Sequence, residues 1–169
     1  MTKNTDKIIL RLILLASICV LLIVFVAELM YGLEPCILCK YQRIPYFAAI
    51  LFAGLALHIK TTNQQGTLKV IGIVFLISAF LAFYHYGVEQ HWWNAATGCG
   101  NFNKLPISFE NFQSQLMSTM PKRCDEIDWT LFGLSMTVYN IIVSVILGTL
   151  SFSSVLLSRK IRVDLNLEN

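Results

Sequence analysis

Hydrophobic residues in this chain run together in four long stretches, at residues 9–29, 39–59, 68–88 and 131–157. A helix needs about 20 apolar residues to cross the hydrocarbon of a bilayer. The pattern therefore predicts an all-α membrane protein, a bundle of four transmembrane helices forming a single domain over residues 1–169. The second stretch has the shortest clean run, Ile44 to Leu57, and spans only if the turn from Cys39 to Arg43 is helical and lies near the headgroups. A polar turn from Thr61 to Thr67 joins spans two and three as antiparallel neighbours. Two loops, residues 30–38 and 89–130, then share the opposite side. In the longer one, Phe109, Phe112, Leu116 and Met120 recur at helical spacing between Pro106 and Pro121. That stripe predicts a short amphipathic helix lying on the membrane surface; a loop packed on its own small apolar cluster is the other reading.

Composition supports the membrane assignment. The chain is 56% hydrophobic and 14% charged, with mean hydropathy +0.63, against about 45–50% and about 25% in soluble domains. Charge sets the orientation. Lys3, Lys7, Arg11, Lys60, Lys69, Arg159, Lys160 and Arg162 fall on the side of the termini, and Lys40, Arg43, Lys104, Lys122 and Arg123 on the other. Positive charge favours the cytoplasm, so both termini are expected there, with the two loops outside. The first span ends in Val26-Ala27-Glu28-Leu29-Met30 and lacks a small-residue cleavage motif, so it is read as a retained anchor. The net charge of +3 is dispersed and points to no nucleic-acid partner. Trp92, Trp93, Trp129 and Tyr139 flank the outer ends of spans three and four, where aromatic anchors sit.

The chemistry lies in the loops. Four of the five cysteines are there: Cys36 and Cys39 as Cys-Ile-Leu-Cys in the first, Cys99 and Cys124 in the second. Disulfides persist outside the cytoplasm, and two dithiols on one face can exchange with each other. Cys36 and Cys39 stand at a helix start next to Lys40 and Arg43, a setting that favours thiolates. A structural bridge or half of a zinc site is the alternative. Zinc typically takes two closely paired motifs, and Cys99 and Cys124 are too far apart to supply a second one, so no metal site is expected. Cys99 and Cys124 form either a structural staple or an exchanging pair; Gly98 and Gly100 leave Cys99 open to attack.

Arg43, one turn beyond Cys39, is either a headgroup-seeking side chain or a donor to a thiolate or a quinone oxygen. His85 lies near the outer end of span three, at quinone-headgroup depth, and its spacing from His91 excludes a helical metal pair; His58 is an interface residue. Glu28 is costly in hydrocarbon unless it finds water or a partner. Cys19, mid-span, is a packing residue.

These features resemble the bacterial disulfide-bond formation protein B (DsbB) family, quinone-dependent thiol oxidases of the inner membrane. The resemblance covers nearly the whole chain. It is carried best by Pro35-Cys36-Ile37-Leu38-Cys39-Lys40-Tyr41-Gln42-Arg43, then by Trp129-Thr130-Leu131-Phe132-Gly133-Leu134-Ser135-Met136 and more loosely by Tyr84-His85-Tyr86-Gly87-Val88-Glu89. It implies periplasmic cysteine loops and a periplasmic DsbA-like thioredoxin-fold partner that attacks a Cys99–Cys124 disulfide at Cys99. It further implies that Cys124 then attacks Cys36, and that Cys39, beside Arg43, passes electrons to ubiquinone or menaquinone held by Arg43, Met136 and His85. DsbA is itself a strong oxidant, so its oxidant must lie higher still, which suits a quinone. The competing readings are a paralogue oxidising a dedicated partner, a disulfide-stapled membrane scaffold, and a reductase of the vitamin K epoxide type. The last fits poorly with a cysteine pair at the start of span two followed by arginine.

Overall fold

The computed structural model describes residues 2–32, 34–59, 63–94, 123–127 and 129–167. Among these, four long helices and one short helix carry the chain: α1 Thr2–Tyr31, α2 Ile37–Tyr41, α3 Ile44–His58, α4 Gln64–Glu89 and α5 Met136–Leu167. A two-stranded hairpin, β1 Thr130–Leu131 and β2 Leu134–Ser135, precedes α5. Cys99 and the expected surface helix over Phe109–Met120 lie outside the described residues.

Among the described residues, three helices are long and apolar enough to cross a membrane: Asn4–Tyr31, Gln64–Glu89 and Met136–Lys160. At about 1.5 Å per residue the 15-residue α3 reaches about 22 Å, short of a hydrocarbon core of about 30 Å. The chain breaks at Gln42 and Arg43 before Pro45 seats in the first turn of α3, where a missing N–H costs nothing. The fourth span expected from sequence thus stands only if α2 and α3 cross together. Span four also starts later than the apolar run suggests. Phe132 and Gly133 take φ of 50° and 79°, the left-handed pair that a tight hairpin needs and a helix cannot hold. Helix therefore opens at Met136 rather than near Leu131.

Helix α4 packs most extensively on α5, α1 on α3, and α3 on α4. The core is made of Leu10, Ile13 and Leu21 from α1, Ala49, Ala53 and Ala56 from α3, Leu68, Ile71 and Phe75 from α4, and Leu147 and Val155 from α5. The alanines recur at helical spacing, and small side chains let neighbouring backbones approach closely where lipid offers no hydrophobic drive. Gly72 does the same under Phe152, whose ring would lie 2.9 Å from an added Cβ. Polar pairs tie the bundle ends: buried Asp6 accepts from the Ser154 and Ser158 hydroxyls at 2.9 and 3.2 Å, joining α1 to α5. Leu12, Leu15, Leu22, Ile73, Phe80, Ile146 and Leu156 lie on outward faces, suited to lipid.

Past α4 the chain turns back on itself. His91 adopts φ 57° and the Trp92 N–H donates to the Gly87 carbonyl at 2.9 Å. Trp93 Nε1–H donates to the Tyr84 carbonyl at 2.9 Å, and its ring stacks on Tyr84 at 5.9 Å. Its indole lies so close over Gly87 that no Cβ fits beneath it. The aromatic fold-back thus depends on a glycine in the last turn of α4.

Candidate functional site

Cys36 caps α2, its sulfur accepting the Cys39 backbone N–H at 3.3 Å. The two sulfurs stand 3.1 Å apart as a dithiol, with Cys36 donating to Cys39. Cys36 is buried at 3% exposure while Cys39 is half-buried, so Cys39 is the more reachable of the two. As the donor in the sulfur–sulfur hydrogen bond, and buried besides, Cys36 is pushed up to about 12, a contact with His85 acting the other way.

Alkylation should read this difference. A raised pKa leaves little thiolate on Cys36 at neutral pH, the thiolate is the nucleophile, and Cys39 is the more exposed sulfur. In reduced protein at pH 7, iodoacetamide is expected to label Cys39 first, with Cys36 lagging at least about tenfold until strongly alkaline pH. Peptide mass spectrometry over time checks the order; labelling of Cys36 first would contradict it.

Three other elements converge on the pair. Cys124, at 1% exposure, shares a buried cluster with Cys36, Leu38 and Val88, and Cys39, Leu81 and Tyr84 pack against it. Within the segment that carries Cys124, Arg123 donates to Asp125 at 3.0 and 2.6 Å. From α4, His85 sets Nε2 3.6 Å from the Cys36 sulfur and 3.8 Å from a Glu89 carboxylate oxygen. Its Nδ1 lies 2.8 Å from Gln42 Nε2 and 3.4 Å from the Thr137 hydroxyl of α5. Thr137 also donates to Glu89. Gln42 Oε1 accepts from Asn140 Nδ2 at 2.8 Å, and Asn140 Oδ1 accepts from the Tyr46 hydroxyl at 2.5 Å. Ser144 and Ser78 extend this chain into the bundle, their hydroxyls 2.9 Å apart. A connected polar network therefore runs from the cysteine pair into the apolar core.

Arg43 turns toward α1. It donates to both carboxylate oxygens of Glu28, at 3.1 Å to one of them, and lies 5.2 Å over the Phe25 ring. Glu28 thus has the partner its depth requires. Among the described residues, no polar contact joins Arg43 to Cys39. Met136 opens α5, half-buried, one residue before Thr137. His85 is 2% exposed with both ring nitrogens facing protein groups, so it backs the cysteine pair rather than lining the lipid side. His91 lies in the fold-back beyond α4, its backbone N–H donating to the Val88 carbonyl at 3.1 Å.

Gln42, Glu89, Thr137 and Asn140 were not among the residues singled out by sequence. Glu89, one helical turn after His85, and Asn140, a polar residue early in an apolar helix, were the available signals.

Comparison with known proteins agrees with the geometry. The family model for disulfide bond formation protein DsbB matches residues 6–153. A disulfide bond formation protein B of Methylobacillus flagellatus is 34% identical, covering 70% of this chain and 74% of its own. One of Xylella fastidiosa is 31% identical over 67% and 68%. An uncharacterized protein of Rickettsia prowazekii is 29% identical over 86% and 85%.

Proposed function

The chain belongs to the DsbB family of disulfide bond formation proteins, and from that premise we propose that it is a protein-dithiol:quinone oxidoreductase that reoxidises a periplasmic DsbA-like partner. It would do so from the bacterial inner membrane, with both termini cytoplasmic and α2 and α3 together making the fourth crossing. The single observation that carries this reading is the burial of Cys124 in one cluster with Cys36, Cys39 packed against it. A structural staple elsewhere in the loop has no need of that contact; an exchange partner does.

The steps balance as follows. A thiolate of the reduced partner attacks Cys99 of a Cys99–Cys124 disulfide, forming a mixed disulfide and releasing Cys124 as thiolate. The partner's second thiolate attacks its own sulfur in that mixed disulfide, so the partner leaves oxidised and Cys99 leaves as thiolate. Cys124 attacks Cys36, forming Cys36–Cys124 and expelling Cys39 as thiolate. The Cys99 thiolate then attacks Cys124 in that bond, restoring Cys99–Cys124 and expelling Cys36 as thiolate. Attack goes to one sulfur of a disulfide and expels the other, and the lower-pKa thiol leaves faster.

A bound quinone supplies a two-electron, two-proton acceptor that resets Cys36 and Cys39 to a disulfide. The residues here suit such a group. Cys39 is half-buried and reachable, and Arg43, its charge balanced by Glu28, keeps N–H groups near the end of the pair's helix. Arg43 and Met136 would hold the quinone head, while His85 supports Cys36 from behind.

Absorbance of ubiquinone or menaquinone tests the proposal, followed with the purified chain in detergent and a reduced DsbA-like donor. The account predicts one quinone reduced per donor disulfide formed. Donor oxidation that consumes neither quinone would overturn it in favour of a different acceptor, and no donor oxidation at all would favour a stapled scaffold.

A further inference from the structure

We propose that the reduced Cys36–Cys39 pair and His85 form a redox-gated binding site for a soft divalent cation of the zinc class, distinct from the electron-transfer role. The sulfurs of Cys36 and Cys39 and a ring nitrogen of His85 all lie within 4.8 Å of one another. Tetrahedral zinc at about 2.3 Å from sulfur and about 2.0–2.1 Å from nitrogen sets those ligand atoms about 3.6 Å apart. The Cys36 sulfur and His85 Nε2 already stand 3.6 Å apart. The two sulfurs, 3.1 Å apart, would open to about 3.8 Å for the same geometry, a small rotation of the half-buried Cys39 side chain. One Glu89 oxygen lies 3.8 Å from Nε2, and the other is buried with no hydrogen-bond partner among the described residues. An unsatisfied buried carboxylate oxygen is costly, and a cation held by the two thiolates and His85 would draw Glu89 in as the fourth donor.

Ligation at Nε2 requires the proton on Nδ1, with an acceptor to receive it. The network around His85 can supply one. With Gln42 Nε2 against Nδ1, the proton is on Nε2. Rotating the Gln42 amide presents Oε1 to Nδ1 instead, and rotating Asn140 likewise returns its oxygen to Gln42. The Tyr46 and Ser144 hydroxyls that now donate to Asn140 can equally accept from it. Both polarities of the network are satisfied, so His85 can present either an N–H or a lone pair to the pair.

Redox state gates the site. Binding displaces the two thiol protons and takes up both thiolates; a Cys36–Cys39 disulfide leaves neither sulfur as a thiolate ligand. An occupied site holds both thiolates out of exchange. A cation would thus capture the reduced protein and act as a brake on its turnover. The site does not depend on the quinone reading, since it needs only the reduced pair.

The test is anaerobic titration of reduced, quinone-depleted protein in detergent with cobalt(II), then displacement by zinc. The expected result is one cobalt per chain with thiolate-to-metal charge-transfer bands and the intense visible bands of a tetrahedral ion. Oxidised protein should show none. Loss of a direct ligand should exceed the about tenfold lower limit seen for outer partners, so His85→Ala should weaken binding by more than that. His85→Cys, which keeps a metal donor at the position, should restore binding with stronger charge-transfer absorption. Equal affinity in wild type and His85→Ala, binding that survives oxidation, or failure of both variants to bind would each overturn the proposal.

Discussion

Replacing Cys39 with serine is expected to bring quinone reduction down to the uncatalysed background while leaving the Cys99–Cys124 end of the chain able to react with donor. A hydroxyl cannot take part in a disulfide, so the substitution removes the leaving group at Cys36 and the sulfur that faces the acceptor in one step. The packing defect is small, because Cys39 is half-buried and a serine fills most of its volume. Loss of turnover with unchanged helix content would therefore report chemistry rather than unfolding. Full turnover in Cys39→Ser would place the exit of electrons elsewhere.

Arg43→Met gives the second large effect, on stability first. The Arg43–Glu28 pair has side-chain exposures of 15% and 20%, largely out of water, and α3 begins immediately after the arginine. Removing one partner of a buried pair strands the other charge, at about 3–5 kcal/mol when fully buried; the partial exposure here brings the expected loss to about 2–3 kcal/mol. Thermal unfolding in detergent should show a clear fall in midpoint. The double variant Glu28→Gln/Arg43→Met should recover most of it, because no charge is left unpaired. Quinone turnover separates the two roles of the arginine. If Arg43 also serves the acceptor, the double variant folds but remains slow; if it is structural alone, turnover returns with stability.

The apolar runs made the long helices legible, because each is a contiguous property of the sequence and the bilayer sets its length. The exceptions are local. The hairpin at Phe132–Gly133 hides inside a hydrophobic stretch, and its left-handed turn is a backbone feature that hydropathy does not register. Likewise, the break at Gln42–Arg43 splits the second run into α2 and α3. For the site, Cys-x-x-Cys and its arginine were readable because their spacing is short. The contact between His85 and Cys36 was not readable, because nothing in one sequence joins residues 49 positions apart. Folding α4 against α2 brings them into contact, with Gln42 and Asn140, 98 positions apart, bonded behind them. Glu28 and Arg43 pair in the same way, a long-range match that the cost of a carboxylate in hydrocarbon anticipates without naming the partner.

The relay's central claim is that Cys124 attacks Cys36. Its most direct measurement is peptide mass mapping of quinone-free protein with Cys36–Cys39 oxidised, mixed with a reduced DsbA-like donor that lacks its second cysteine and quenched with acid. The account predicts Cys99 held in a mixed disulfide with the donor and a Cys36–Cys124 disulfide beside a free Cys39 thiol. Persistence of Cys36–Cys39 with Cys124 left as a free thiol would contradict it.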